Sequence, residues 1–191
     1  MIRGVVLSGG ESKRMGSDKG LLTIGPCTWA QLAARKLERL YIPVLISINE
    51  TQIATYHGLF PSELLVIDQV KTKGPLTGLL SAHLKHPDDD LLLLACDMID
   101  MDISSLRFLR DSIATFPGFD YYVYCREDFM EPLCAVYTSS QLKKIHHEFK
   151  KGSLSNFSLH KLIKQARYKT LTISNIKNFN NHNTATLKTN I

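Results

Sequence analysis

The stretch Leu7-Ser8-Gly9-Gly10-Glu11-Ser12-Lys13-Arg14-Met15-Gly16-Ser17-Asp18-Lys19 decides how this chain is read. It follows the apolar run Gly4-Val5-Val6-Leu7, which predicts a buried N-terminal strand. Two consecutive glycines end that strand, so the backbone can turn sharply and approach a ligand without a Cβ in the way. Lys13, Arg14 and Lys19 follow. A glycine turn with clustered cations behind a strand points to an anion site, built from peptide N–H groups and backed by side-chain charge. The spacing excludes two commoner phosphate motifs, because neither G-x-x-x-x-G-K-[ST] nor G-x-G-x-x-G can be drawn through these glycines. A bare glycine pair is most simply a surface turn with solvated bases; the full string is what argues for a site.

Downstream, Thr28 can cap a helix from Trp29 to Leu40, where Leu32, Ala33, Lys36, Leu37 and Leu40 recur at helical spacing. Val44–Ile48 reads as a strand buried on both faces, with Ser47 and Asn49 alternating to one side at its end. A short helix is expected over Gln52–Gly58, and Leu64–Ile67 predicts a strand ending at Asp68. Gly74-Pro75-Leu76-Thr77-Gly78 opens a helix to about Lys85, with Pro75 suited to its first turn. Asp90–Cys96 is the clearest strand and delivers Asp97 at its end; Ser104 or Ser105 would start the next helix. Strands over Tyr121–Cys125 and Leu133–Tyr137, joined by a hairpin, are expected next. Helices near Ser140–Lys150 and Ser158–Ala166 and a strand near Lys169–Ile173 complete the series.

Strands alternating with helices from the first residues predict an α/β fold, a Rossmann-like three-layer α/β/α domain with a mostly parallel sheet. In such sheets ligands bind beyond the carboxyl ends of the strands. Those ends here carry Gly9-Gly10, Ser47 and Asn49, Asp68, and Asp97. Four successive strand ends with polar or glycine-rich chemistry predict one site.

At 191 residues the chain is read as a single domain over 1–191, its part from about 138 mostly helical and basic. From Gln141 onward ten bases face Glu148 alone, giving that stretch +9 and leaving the first 140 residues at −4 of the net +5. Such a basic part invites a nucleic-acid reading, but no binding motif with interleaved aromatics occurs, so no nucleic-acid partner is expected. The longest apolar run, Leu91–Cys96, is too short to span a bilayer, and Met1 leads straight into the first strand without a signal peptide. No membrane association and a cytoplasmic location are therefore expected. The four cysteines form no C-x-x-C pair, and His83 and His86 lack a third ligand nearby, so neither type predicts a metal site.

The opening string resembles the signature L-[AS]-[GA]-G-x-S-x-R-M-G-x-D-K of nucleotidyltransferases that activate sugars, isoprenoid precursors and pterin cofactors. With Gly9 and Gly10 it is most similar to the molybdenum cofactor guanylyltransferase family. The resemblance continues through Ile67-Asp68 with Gly74-Pro75-Leu76-Thr77-Gly78-Leu79, similar to D…G-P-L-x-G-L, and Ala95-Cys96-Asp97-Met98, similar to A-C-D-M-P. Glu131-Pro132-Leu133-Cys134-Ala135-Val136-Tyr137 resembles the later P-L-x-A-x-Y strand, and Phe179-Asn180-Asn181-His182-Asn183-Thr184 the terminal F-x-N-x-N-T. Ile99 and Ala185 stand where the family has prolines, which puts backbone stiffness in doubt more than chemistry.

The resemblance implies transfer of GMP from GTP to the phosphate of a molybdenum-loaded molybdopterin, with release of pyrophosphate. It implies Arg14, Lys19 and Asp97 as catalytic residues, and Leu7, Ser8, Gly9, Gly10, Lys19, Ser47, Asn49, Asp68 and Asp97 around the nucleotide. Asn181 and Asn183 would hold the pterin substrate, and Asp97 would hold Mg²⁺, an ion that takes one or two carboxylates and keeps several waters. GTP and the molybdopterin cofactor are the implied partners, with transient contacts to cofactor-biosynthesis proteins and acceptor apoenzymes. The acceptor phosphate is already largely dianionic at neutral pH, so no general base is required. The alternatives are a cytidylyl- or sugar-phosphate transferase, in which Gly9 would be alanine for the cytidylyl branch, and a nucleotide-binding regulatory module without turnover.

Overall fold

A computed structural model of the chain describes residues 1–9, 18–127, 129–173 and 176–179. In chain order the elements are β1 (Ile2–Leu7), β2 (Thr23–Ile24), β3 (Cys27–Thr28), α1 (Trp29–Glu38), β4 (Val44–Ile48), α2 (Ile53–His57), β5 (Leu65–Ile67) and α3 (Leu76–Lys85). They continue with β6 (Asp90–Ala95), α4 (Ile103–Thr115), β7 (Tyr121–Arg126), β8 (Phe129–Tyr137), α5 (Ser139–Lys150), α6 (Leu159–Lys164) and β9 (Tyr168–Thr172). β1, β4 to β9 form one seven-stranded sheet in the order β5-β4-β1-β6-β8-β7-β9. β1 pairs in parallel with β4 and β6, β4 with β5, and β7 with β9, whereas β8 runs antiparallel to both its neighbours.

Alternate residues of the central strands feed opposite faces, as the two-residue side-chain period requires. Val6, Ile46, Leu92 and Leu94 pack with Ala30, Leu37, Tyr56, Leu106 and Leu109 from α1, α2 and α4. Val5, Leu45, Leu91 and Leu93 pack with Leu76, Leu79, Leu80, Leu142, Ile145 and Leu159 from α3, α5 and α6. The three-layer architecture follows from these two cores. Among the described residues, no helix is long and apolar enough to cross a membrane.

Three local features differ from the sequence reading. β2 and β3 form a small antiparallel hairpin that it did not contain. Asp102, not Ser104 or Ser105, caps α4, accepting from the Ser105 N–H at 2.6 Å; a carboxylate also interacts favourably with the helix dipole, which a hydroxyl does less well. The strand expected from Leu133 begins at Phe129 and contains a bulge, because two steps along β7, from Val123 to Cys125, pass five along β8, from Ala135 to Met130.

Candidate active site

From β1 the chain moves outward to β4 and β5 on one side, then returns to place β6 on the other. The crevice between β1 and β6 is thus a topological switch point, the place where open α/β sheets take ligands. Leu7 and Cys96 still bond across it, the Cys96 N–H donating to the Leu7 carbonyl at 3.1 Å, and the strands then part. Gly9 lies on one rim and Asp97 on the other.

Asp97 is held at the first turn beyond β6. Its Oδ2 accepts from Lys19 Nζ at 2.9 Å, and both side chains are largely withdrawn from solvent. Its Oδ1 is buried, with no hydrogen-bond partner among the described residues. A buried carboxylate oxygen with nothing to accept from is costly unless a cation or donor arrives. That oxygen fits a hard divalent ion, which takes few protein oxygens and many waters when it is Mg²⁺. Among the described residues, no group of three His, Cys, Asp or Glu gathers around a metal position.

Lys19 is delivered by a braced turn. Asp18 caps it, accepting from the Gly20 N–H at 2.9 Å, and also accepts from Gln52 Nε2 at 2.5 Å and the Tyr56 hydroxyl at 3.2 Å. Gln52 Nε2 donates in addition to the Ser8 carbonyl at 3.0 Å, tying the start and end of the glycine loop to one side chain. Burial, then the Asp18 charge, pushes the Tyr56 phenol far up, so it stays a donor. The sequence reading gave Gln52 and Tyr56 no part in the site; their role shows only once the segment around α2 packs against Ser8 and Asp18.

On the other rim, Asp68 follows β5 and its N–H donates to the Ile48 carbonyl at 2.9 Å. Burial pushes its carboxyl up to about 6, partly opposed by the Ser47 hydroxyl, which donates from 3.4 Å. Ser47 itself is completely buried, pressed against α3 where Gly78 has no side chain. A Cβ on Gly78 would come within 2.1 Å of Ser47 Oγ and 2.9 Å of Leu7 Cδ2, so glycine lets α3 lie flush beneath both. Asn49 Oδ1 is engaged by Thr51, from its N–H at 3.0 Å and its hydroxyl at 2.7 Å.

The amides at the start of the glycine turn are engaged within the sheet. The Ser8 and Gly9 N–H groups both donate to the Ser47 carbonyl, at 3.0 and 2.9 Å, because the diverging end of β4 leaves that carbonyl to be satisfied from β1. Gly9 therefore offers no N–H to a phosphate. What it offers is space, since a Cβ there would sit 3.4 Å from Asp68 Oδ2 and 3.6 Å from the Asn49 nitrogen. The structure thus brings Leu7, Ser8, Gly9, Lys19, Ser47, Asn49, Asp68 and Asp97 to one end of the sheet. Gly10, Arg14, Asn181 and Asn183 lie outside the described residues. Phe179, just ahead of the two asparagines, packs edge-on against Tyr124 with ring centres 5.0 Å apart.

Comparison with known proteins agrees with this geometry. The family model for the MobA-like NTP transferase domain matches residues 4–167. A probable molybdenum cofactor guanylyltransferase of Methanothermobacter thermautotrophicus is 29% identical over 189 residues, 92% of this chain and 92% of that protein. The crystal structure of molybdopterin-guanine dinucleotide biosynthesis protein A from Archaeoglobus fulgidus superposes with a TM-score of 0.73 at 18% identity, covering 95% of this chain and 92% of that one. A Mycobacterium tuberculosis protein solved in complex with manganese shares the fold, with a TM-score of 0.59 at 15% identity over 90% and 88% of the two chains. The chain belongs to the MobA-like NTP transferase domain family and is an enzyme of the nucleotidyltransferase type.

Proposed function

We propose that the enzyme transfers GMP from GTP to the terminal phosphate of molybdenum-loaded molybdopterin, making the guanine dinucleotide form of the cofactor and pyrophosphate. An oxygen of the acceptor phosphate bonds to the α-phosphorus of GTP, and the bond from that phosphorus to the β-bridging oxygen breaks. No proton need be removed from an acceptor that is already dianionic. Positioning and electrostatics are what such a transfer requires.

The observation that carries this reading is the Lys19–Asp97 pair with its one unpartnered carboxylate oxygen, set at the switch point. Asp97 Oδ1 would hold Mg²⁺, which when bound neutralises phosphate charge and polarises the α-phosphate. Lys19, joined by Arg14, offsets charge on the departing pyrophosphate, and Gly10 begins the run of N–H donors. Asp68 accepts from the guanine N1–H and 2-amino group, in the room left by the missing Cβ of Gly9, with Ser47 and Asn49 fixing its surroundings. Asn181 and Asn183 serve the pterin side. A manganese complex of a protein of the same fold supports a divalent ion here, and the name of the Methanothermobacter relative supports the guanylyl acceptor chemistry.

Asp97→Asn keeps the shape of the side chain and removes its charge. Pyrophosphate release from GTP and molybdopterin should fall by at least roughly 100-fold, with an unchanged or raised melting temperature. Turnover near that of the wild type would remove Asp97, and with it this mechanism.

A further inference from the structure

The bulge in β8 is placed where it can re-aim a side chain, a common use of bulges beside active sites. It holds Glu131, Pro132 and Leu133, displaced from the ladder between the Ala135 and Met130 pairings. Pro132 has no N–H to lend to the sheet, and its carbonyl is fixed by the Tyr137 hydroxyl at 2.7 Å. Glu131 is 7% exposed. Burial alone pushes its carboxyl up to about 7, and among the described residues no hydrogen bond or ion pair reaches it. Its side chain is largely withdrawn from solvent, yet its carboxylate oxygens are not sealed off, so the position leaves a nearly dehydrated acceptor open to a donor from a ligand.

Its place in the sheet says what that is. Leu94 pairs with Cys134, and three residues further along each strand are Asp97 and Glu131. β8 lies between β6, which leads into Asp97, and β7, whose Tyr124 packs on Phe179. Asp68, after β5, lies on the opposite side of the β1–β6 crevice. The two partner-poor carboxylates thus flank the reaction centre, one on the nucleotide side and one on the acceptor side. Guanine and a pterin share the same edge, a ring N–H beside an exocyclic amino group on a 2-amino-4-oxopyrimidine. Two adjacent N–H donors match the two oxygens of one carboxylate.

We propose that Glu131 recognises the pterin, its carboxylate accepting from the pterin N3–H and 2-amino group. The proposal rests on the acceptor being a molybdopterin, as argued above. Binding is measured by calorimetry with neopterin monophosphate and with the corresponding lumazine, in which an oxo group replaces the 2-amino group. The wild type should bind the pterin at least about tenfold more tightly than the lumazine, the value of matched hydrogen bonds to a charged group. Glu131→Gln should lose that discrimination, because its amide places a donor against a donor, while GTP affinity stays unchanged. Glu131→Asp, which keeps the charge but draws it back, should lose it too and serves if the Gln variant does not fold. Discrimination that survives in either variant overturns the assignment, as does a loss of GTP or Mg²⁺ affinity, which would make Glu131 a nucleotide-side or metal ligand. If the wild type fails to discriminate but still guanylylates molybdopterin, Glu131 alone loses its role; if it does not guanylylate molybdopterin, the proposed function fails first.

Discussion

Asp68 and Asp97 stand at the same end of one sheet under different electrostatic conditions. Asp97 has the Lys19 ammonium at 2.9 Å, whereas among the described residues Asp68 has only the Ser47 hydroxyl at 3.4 Å. The Asp68 carboxyl is raised from 3.8 to about 6 on folding. A raised carboxyl pKa means that the neutral form fits the native state. This contribution is fully present below about pH 4 and is lost as pH rises through about 6. Asp68→Asn should therefore be more stable than the wild type at pH 8 by about 1–2 kcal/mol, after allowing for partial solvent screening. The difference should vanish below pH 4, and GTP binding should weaken above about pH 6, where the wild-type carboxyl is charged. Denaturant melts at pH 4 and pH 8 check it; a variant no more stable than the wild type at pH 8 contradicts it. Both aspartates were legible in the sequence because each follows an apolar run that ends at a strand terminus. Glu131 was not, although it stands in a motif, because its signal is burial without a partner. That the Gly9 N–H turns to Ser47 was not legible for a related reason: whether a loop amide is free depends on which neighbouring carbonyl needs it.

At the scale of elements, the turn from Asp97 to the start of α4 carries Ile99, one of the two positions where the resemblance implied proline. The departure has a counterpart across the core. Lys36 of α1, half-buried and with its pKa lowered by that burial, donates from Nζ to the Ile99 carbonyl, with Asp100 and Asp102 opposing the shift. Asp102 then caps α4 and also accepts from Asn178 Nδ2, linking this turn to the residue before Phe179. A fixed side-chain contact thus does for the turn what a restricted φ would do elsewhere. Lys36→Met, close in size, leaves the Ile99 carbonyl without this donor. It should lower unfolding free energy by about 1–3 kcal/mol, read by chemical denaturation, with weaker Mg²⁺-dependent turnover. Unchanged stability and turnover would show that the turn holds itself. The α/β alternation and most element positions were legible from apolar runs and caps. The antiparallel pairing of β7 with β8 was legible as a hairpin, but the insertion of β8 beside β6 was not, because a run such as Ala135-Val136-Tyr137 does not say which neighbour it meets. The β2–β3 hairpin escaped because each of its strands has two residues, too few for any periodicity.

Across the whole molecule, sheet order explains why residues far apart in sequence meet. The reversal at β1 sets Gly9, Asp68 and Asp97 around one crevice, and the strand beyond Asp97 carries Glu131. Charge is divided along the chain in the same spirit, with the carboxylates of the site before residue 140 and the excess of bases after it. The bases of α5 and α6 lie largely on the surface; Lys143, for example, bonds Asp88 at 2.7 Å with both side chains exposed. The central claim is that this assembly selects guanine, through a missing Cβ at Gly9 that leaves Asp68 open to the base edge. Cytosine lacks the paired N–H donors of guanine, and unmatched buried groups cost about 1–3 kcal/mol each. Pyrophosphate release measured in parallel with GTP and with CTP, each with molybdopterin and Mg²⁺, tests that claim most directly. The account predicts kcat/KM for GTP at least roughly tenfold above that for CTP; equal or better use of CTP by the wild-type enzyme would contradict it.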